Sequence, residues 1–187
     1  MAEYYLDIET VPKDPEDPND RANLNPTTGK IITIQYQRVE TISGAPIGPL
    51  KILTEWDKSE REILEEFLPL FTGNPWAFIP LGYNLNFEFN FLRKKSKEYF
   101  SRDLSVDEFL DRPKNDLKLV GVILNNGSFK GATLDSFTEK EHGGYKIPVW
   151  YKDERHDQII DYVTKETHSF LTFWQKLKED LPKVFLK

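Results

Sequence analysis

"YYLDIETVP", residues 4–12, decides how this chain is read. Tyr4, Tyr5 and Leu6 lead into Asp7, Ile8 and Glu9, and residues 4–8 read as a first strand. Side chains two apart on a strand share a face, so Asp7 and Glu9 point the same way. Two carboxylates on one face repel each other unless water or a cation lies between them. A solvated strand end and a metal site are the two readings that the stretch allows.

Outward from it, residues 11–30, "VPKDPEDPNDRANLNPTTGK", are rich in Pro, Asp and Asn and read as a long loop. "IITIQYQRV" (31–39) sets Ile32, Ile34 and Tyr36 against Thr33, Gln35 and Gln37, the pattern of a half-buried strand. "SGAPIGP" (43–49) is a turn, and "PLKILT" (49–54) completes an antiparallel meander of three strands. The period then changes. "SEREILEEFLPLF" (59–71) opens with the capping-box pair Ser59 and Glu62, and Ile63, Leu64, Phe67, Leu68 and Phe71 make one apolar helical stripe. "WAFIPLG" (76–82) reads as a buried strand with Pro80 near its end. Residues 86–100 read as a second helix, and 115–126 as a short strand or helix before an Asn126-Gly127 turn. Residues 133–144 read as a small helix ending in glycine, and about 154–179 as the last helix. No internal repeat or linker interrupts this order, so residues 1–187 are expected to form a single α/β domain.

With 187 residues the chain can bury a real core, and 39% hydrophobic with 30% charged residues is the balance of a water-soluble globular protein. The absence of cysteine excludes disulfides, thiolate zinc sites and a cysteine nucleophile. No apolar run approaches the roughly 20 residues of a membrane span, and no basic-then-apolar leader is visible, so no membrane association and a cytoplasmic location are expected. The net charge of −6 argues against a protein that coats DNA without regard to sequence, and less against one that grips a few nucleotides. His142, His156 and His168 lack zinc spacing, and neither a Walker loop nor a G-x-S-x-G elbow occurs.

Two further acidic spots stand beside Asp7 and Glu9. "GYNLNFEFNFL" (82–92) places Asn84, Phe87 and Glu88 at a strand-to-helix junction, where Asn84 or Asn86 is able to cap the helix and the dipole favours an acid in the first turn. In "DQIIDYVTKETHSFLTFWQKL" (157–177), Ile159, Ile160, Val163, Phe170, Leu171, Trp174 and Leu177 cluster on one side of the wheel. Glu166 falls on the flank of that apolar face, four residues from Tyr162, and Asp161 falls nearly opposite. A carboxylate directed at a core must be paired, protonated or metal-bound, unless it reaches out to water at the margin.

Taken in order, these segments resemble the four-carboxylate (DEDD) 3′→5′ exonucleases of ribonuclease-H-like fold, which include the proofreading domain of family B DNA polymerases and the RNase D group. "LDIET" resembles the D-x-E motif, Asn84 to Glu88 the N-x-x-F-D motif, and "YVTKE", with Tyr162 and Glu166, the Y-x-x-x-D motif of the tyrosine branch. Glu88 and Glu166 stand where the family has Asp, each one methylene longer. The histidine-branch motif H-x-x-x-x-D is matched by His156 to Asp161, the alternative third motif.

The resemblance implies a mixed central sheet, an antiparallel meander plus parallel strands, flanked by helices. It implies two Mg²⁺ or Mn²⁺ ions, with Asp7 bridging both, Glu9 and Glu166 on the ion that activates water, and Glu88 supporting the other through water. Tyr162 would orient the attacking water, and Thr10, Asn84 and Phe87 would contact substrate. The implied activity is removal of nucleoside 5′-monophosphates from a 3′ end, with single-stranded DNA taken ahead of RNA and a replication or repair protein as possible partner. An RNase D-like exoribonuclease, an endonuclease of the same fold, and a weakened or inactive module that binds nucleic-acid ends or a protein are the alternatives. Arg93, Lys94, Lys95 and Lys97 read as a solvated helix face, with phosphate binding as the alternative, and Phe89, Trp150 and Tyr151 as core or base-stacking aromatics.

Overall fold

The computed structural model describes residues 1–16, 21–138 and 143–185. Strand β1 (Glu3–Pro12) runs through the acidic stretch and past it. It pairs antiparallel with β2 (Gly29–Val39), which pairs antiparallel with β3 (Pro46–Thr54). On its other side β1 pairs parallel with β4 (Ile79–Gly82), and β4 with the two-residue β5 (Asn115–Asp116). The order is β3-β2-β1-β4-β5, so the acidic strand lies in the middle of a mixed α/β sheet. The meander and the parallel strands are those expected from the sequence.

Helix α1 (Glu60–Thr72) starts at the expected capping box: the Glu62 N–H donates to Ser59 Oγ, and the Ser59 N–H donates to the Glu62 carboxylate. Its whole apolar stripe is buried. Burial stabilises each such side chain by about 1.5–3 kcal/mol, so packing rather than intrinsic propensity holds the helix. With α2 (Asn86–Phe100) and the short α3 (Val106–Leu110), α1 covers one face of the sheet in a continuous apolar core. The other face is covered by α6 (His156–Phe185), with α4 (Lys118–Leu124) and α5 (Ile147–Lys152) beside it. None of the described helices is long and apolar enough to cross a membrane.

Several elements depart from the sequence reading. The loop expected at 11–30 is shorter, because β1 continues to Pro12 and β2 begins at Gly29; its residues 17–20 lie outside the described residues. Pro80 is the second residue of β4. The Ile79 N–H donates to Ala2 O, so an N–H at position 80 would point away from β1, where pairing with β5 begins only at Leu81. Residues 115–126 hold both a strand and a helix, and Asn126 and Gly127 turn with φ of 53° and 80°. The small helix expected at 133–144 is instead two 3₁₀ turns, Leu134–Ser136 and Gly144–Lys146, with 139–142, and so His142, outside the described residues. The α3 and α5 helices were not expected at all.

β2 carries the correction that matters most. Thr33 and Gln35 are fully buried, as are Ile32 and Ile34. Glu9 pairs with Thr33 but Thr10 with Ile31, which leaves Ile32 as a bulge. The bulge turns Ile32 to the α6 side, while Ile34 packs on the α1 side. The polar face of this strand therefore meets protein rather than water.

Candidate metal centre and cleft

Asp7 and Glu9 lie directly across from Gln35 and Thr33. Gln35 Nε2 donates to Asp7 Oδ2 at 2.9 Å, and the Thr33 hydroxyl donates to Gln35 Oε1 at 2.8 Å, which fixes the amide's orientation. The Tyr5 hydroxyl donates to the same Asp7 oxygen at 3.3 Å. A buried relay thus holds one Asp7 oxygen in place.

Onto this strand α6 lays its inner face. Ile159, Val163, Phe170, Leu171, Trp174 and Leu177 are buried, and Glu166, 8% exposed, sits among them beside Tyr162. One carboxylate oxygen from each of Asp7, Glu9 and Glu166 lies within 4.8 Å of the others. From the first turn of α2, Glu88 approaches Asp7. It is 4% exposed, and its Oε2 has no hydrogen-bond partner among the described residues. Burial and the neighbouring Asp7 charge hold the Glu88 carboxyl well above the usual carboxylate range. Burial, Glu166 and Glu9 likewise raise the Tyr162 phenol, and burial, Asp7 and Glu166 that of Tyr5.

The start of α2 is set by a residue the sequence reading passed over. Neither Asn84 nor Asn86 caps the helix. The Asp116 carboxylate accepts from the backbone N–H groups of Asn84 (2.8 Å), Leu85 (3.0 Å) and Lys118 (2.9 Å), while Asn84 takes a left-handed φ of 68°. At Gly82, a Cβ would lie 2.8 Å from the Leu6 carbonyl oxygen, so only glycine lets the β4–α2 junction come this close to β1. That approach brings Glu88 to Asp7.

A cleft of about 500 Å³ opens above the acids, bordered by Asp7, Asn84, Lys118, Tyr145, Tyr162 and Glu166. The hard oxygen donors of the cluster suit Mg²⁺ or Mn²⁺, and the converging acids with the orphaned Glu88 oxygen fit such ions.

Other candidates lie elsewhere. Thr10 is buried and its hydroxyl donates to Asn23 O at 2.7 Å. Phe87 packs on Phe91, ring centroids 4.9 Å apart, and does not border the cleft. His156 stacks on Trp56 at 4.4 Å, and the exposed Asp161 pairs with Lys165 at 2.7 Å, so the alternative third motif is not brought to Asp7. The helical phase explains this, since Asp161 is on the outward side of α6. The basic run is no phosphate stripe: Arg93 and Lys97 both pair with Asp103, and Lys95 is buried against Glu60. Phe89 stacks on Phe109 in the core, Tyr151 hydrogen-bonds to Lys30 and Glu55, and Trp150 lies edge-on to Tyr162. Gln35, Thr33, Tyr5, Asp116 and Lys118 were missed; facing Asp7 and Glu9 across a meander was the one signal for the first two.

No known family and no curated protein matches the chain by sequence. Solved structures do match. Exonuclease I of E. coli in complex with a dT13 oligonucleotide superposes with a TM-score of 0.63 at 14% identity, over 99% of this chain and 42% of that one. The chain has the exonuclease I fold. Exonuclease I with the inhibitor BCBP gives a TM-score of 0.60 at 14% identity, over 99% and 42% of the two chains. An SSB/exonuclease I structure with the inhibitor CFAM gives 0.55 at 13%, over 99% and 43%. The five-stranded mixed sheet flanked by helices is therefore ribonuclease-H-like, as in exonuclease I. This chain spans less than half the length of the chains it matches.

Proposed function

We propose that residues 1–187 act as a metal-dependent 3′→5′ exonuclease on single-stranded DNA, releasing nucleoside 5′-monophosphates. The convergence of Asp7, Glu9 and Glu166 within 4.8 Å at a cleft, on the exonuclease I fold, carries this reading. Asp7, Glu9, Glu88 and Glu166 would hold two Mg²⁺ or Mn²⁺ ions. When bound, such ions neutralise charge at the scissile phosphate and supply an activated water.

The chain's own residues divide the remaining work. Gln35 keeps Asp7 in one orientation, as outer partners of metal ligands do. The raised Tyr162 phenol stays protonated at neutral pH, so it orients a water by hydrogen bonding and does not take its proton. Lys118 puts a cation at the cleft edge, where a phosphate of the strand would pass. Asn84 and the exposed ring of Tyr145 line the path of the terminal nucleotides, and a base can stack on the ring. A replication or repair protein is the proposed partner.

Digestion of a 5′-labelled, 3′-tailed single strand with Mg²⁺ or Mn²⁺ tests the proposal. A ladder shortening from the 3′ end and absent in Asp7→Ala is the expected result; the same ladder on RNA alone would make the enzyme an exoribonuclease. A second reading, a weakened module that binds ends, is favoured by Glu88 and Glu166 in place of Asp. No digestion of either polymer, with binding of ends retained, would select it.

A further inference from the structure

Residues 117–134 run from the start of α4 to one wall of the cleft, and their charge differs from that of the chain as a whole. The stretch holds Lys118 and Lys130 and no acid, in a chain with 31 acidic residues and a net charge of −6. Lys118, Thr133 and Leu134 border the cleft. Between α4 and Thr133 lies a loop closed by its own polar groups. Asn125 Nδ2 donates to Ser128 O at 2.8 Å and to Lys130 O at 2.9 Å, and the Ser128 hydroxyl donates to Lys130 O at 3.1 Å. Gly131, with a φ of 82°, takes the left-handed place in a turn where the Ala132 N–H donates to Phe129 O at 3.4 Å. Such a turn keeps the two Cα atoms within about 7 Å of each other. Ala132 is in turn tied to the cleft: its carbonyl accepts from the Tyr83 hydroxyl at 2.7 Å and from Lys118 Nζ, and both side chains border the cleft. The Phe129 side chain, 66% exposed, thus stands on a fixed turn at the rim, with the exposed Lys130 next to it.

We infer that this loop is a platform for the strand upstream of its 3′ end, where a base stacks on Phe129 and an adjoining phosphate meets Lys130. The platform presupposes the proposed reading of the cleft as the place of the 3′ end. A ring beside a cation is the pair that a single strand offers partners for, since every base has a flat face and every nucleotide a phosphate. The wall without acids lets those phosphates pass without the repulsion that acidic surface elsewhere would supply. A loop already ordered by its own hydrogen bonds loses little freedom when the strand arrives. The consequence is specificity. A base on Phe129 must leave its own stack and its pairing partner, so the loop selects an unpaired strand over a duplex without reading its sequence.

The experiment measures binding of 5′-labelled oligothymidylates to the full chain by fluorescence anisotropy, with a chelator present so that no strand is cut. A single abasic nucleotide is moved along the strand from the 3′ end, one position at a time. Upstream of the terminal nucleotides, one position is expected to be sensitive in the wild-type chain, with affinity falling about tenfold there. Phe129→Leu keeps an apolar side chain and loses the ring face. It is expected to lose the same factor on the intact strand, to be indifferent to the abasic nucleotide at that position, and to prefer single strand over blunt duplex by that much less. Phe129→Trp is expected to keep both the affinity and the sensitivity. No binding of any strand, unchanged affinity in Phe129→Leu, or an abasic effect that persists in it would overturn the inference. Addition of Mg²⁺ or Mn²⁺ separates the platform from the nuclease reading. Digestion with no effect of Phe129→Leu removes the platform and leaves the nuclease; Phe129-dependent affinity without digestion does the reverse.

Discussion

Two clusters of buried charge lie on opposite faces of the sheet. On the α1 side Lys95 is fully buried, but its surroundings close around it. Its Nζ donates to Gly29 O at 2.7 Å and lies 3.3 Å from Glu60 Oε1; Glu60 in turn accepts from the Ile31 N–H and the Tyr99 hydroxyl, each at 2.7 Å. One positive and one negative group share a fully bonded network, which ties α2 to α1 and β2. On the α6 side, Asp7, Glu9, Glu88 and Glu166 bring charge of one sign together, and Tyr5, Tyr162 and Glu88 are all shifted upward by burial and these neighbours. This cluster also splits the apolar packing of that face into two blocks, around Ile32 and Val163 and around Tyr5 and Phe170. Burial of charge alone does not mark a working site. Charge of one sign, with a buried oxygen left unsatisfied, is what singles this cluster out as the candidate site.

Substitutions in the two clusters are expected to act in opposite ways. Lys95→Met leaves Glu60 buried without its ion pair and is expected to cost about 3–5 kcal/mol in urea denaturation, with metal affinity of the folded protein unchanged. Asp7→Asn is expected to do the reverse: turnover of a single-stranded substrate falls about a hundredfold or more, while the metal-free protein is as stable as wild type or more so. Equal destabilisation by both would erase the distinction. Gln35→Leu keeps the volume but removes the Gln35 donor from Asp7 Oδ2, leaving the longer Tyr5 bond, and a loss of about 10–100-fold in Mn²⁺ affinity is expected by calorimetry.

The smallest effect is in pH dependence. The Glu88 carboxyl titrates higher in the folded protein than in the unfolded chain, so the folded state holds the extra proton. Without metal, stability is therefore expected to fall as pH rises from the ordinary glutamate range through the raised Glu88 value. Urea midpoints measured against pH in the presence of a chelator should show this slope, and Glu88→Gln should flatten it.

The parts of the site that were legible in the sequence follow from local periodicity. A spacing of two on a strand puts Asp7 and Glu9 on one face, and a spacing of four on a helix puts Tyr162 beside Glu166. The flank position of Glu166 and the outward side of Asp161 came from the same wheel. What was not legible depends on distant packing. Thr33 and Gln35 alternate with isoleucines as a solvent face would, and only α6, more than 120 residues later, makes that face interior. The bulge at Ile32 has no glycine or proline to announce it. Lys95 sits in a run of basic residues, and its burial depends on Glu60, in the preceding helix. Asp116 takes over the capping expected of Asn84 because β5, two residues long and without a hydrophobic pattern, ends beside α2.

The most direct test is calorimetric titration of the chain with Mn²⁺ beside Asp7→Ala. Saturable binding that raises the unfolding temperature and is lost in Asp7→Ala is expected. A well-folded wild-type chain that binds no Mn²⁺, or an Asp7→Ala variant that binds it as tightly, would contradict it.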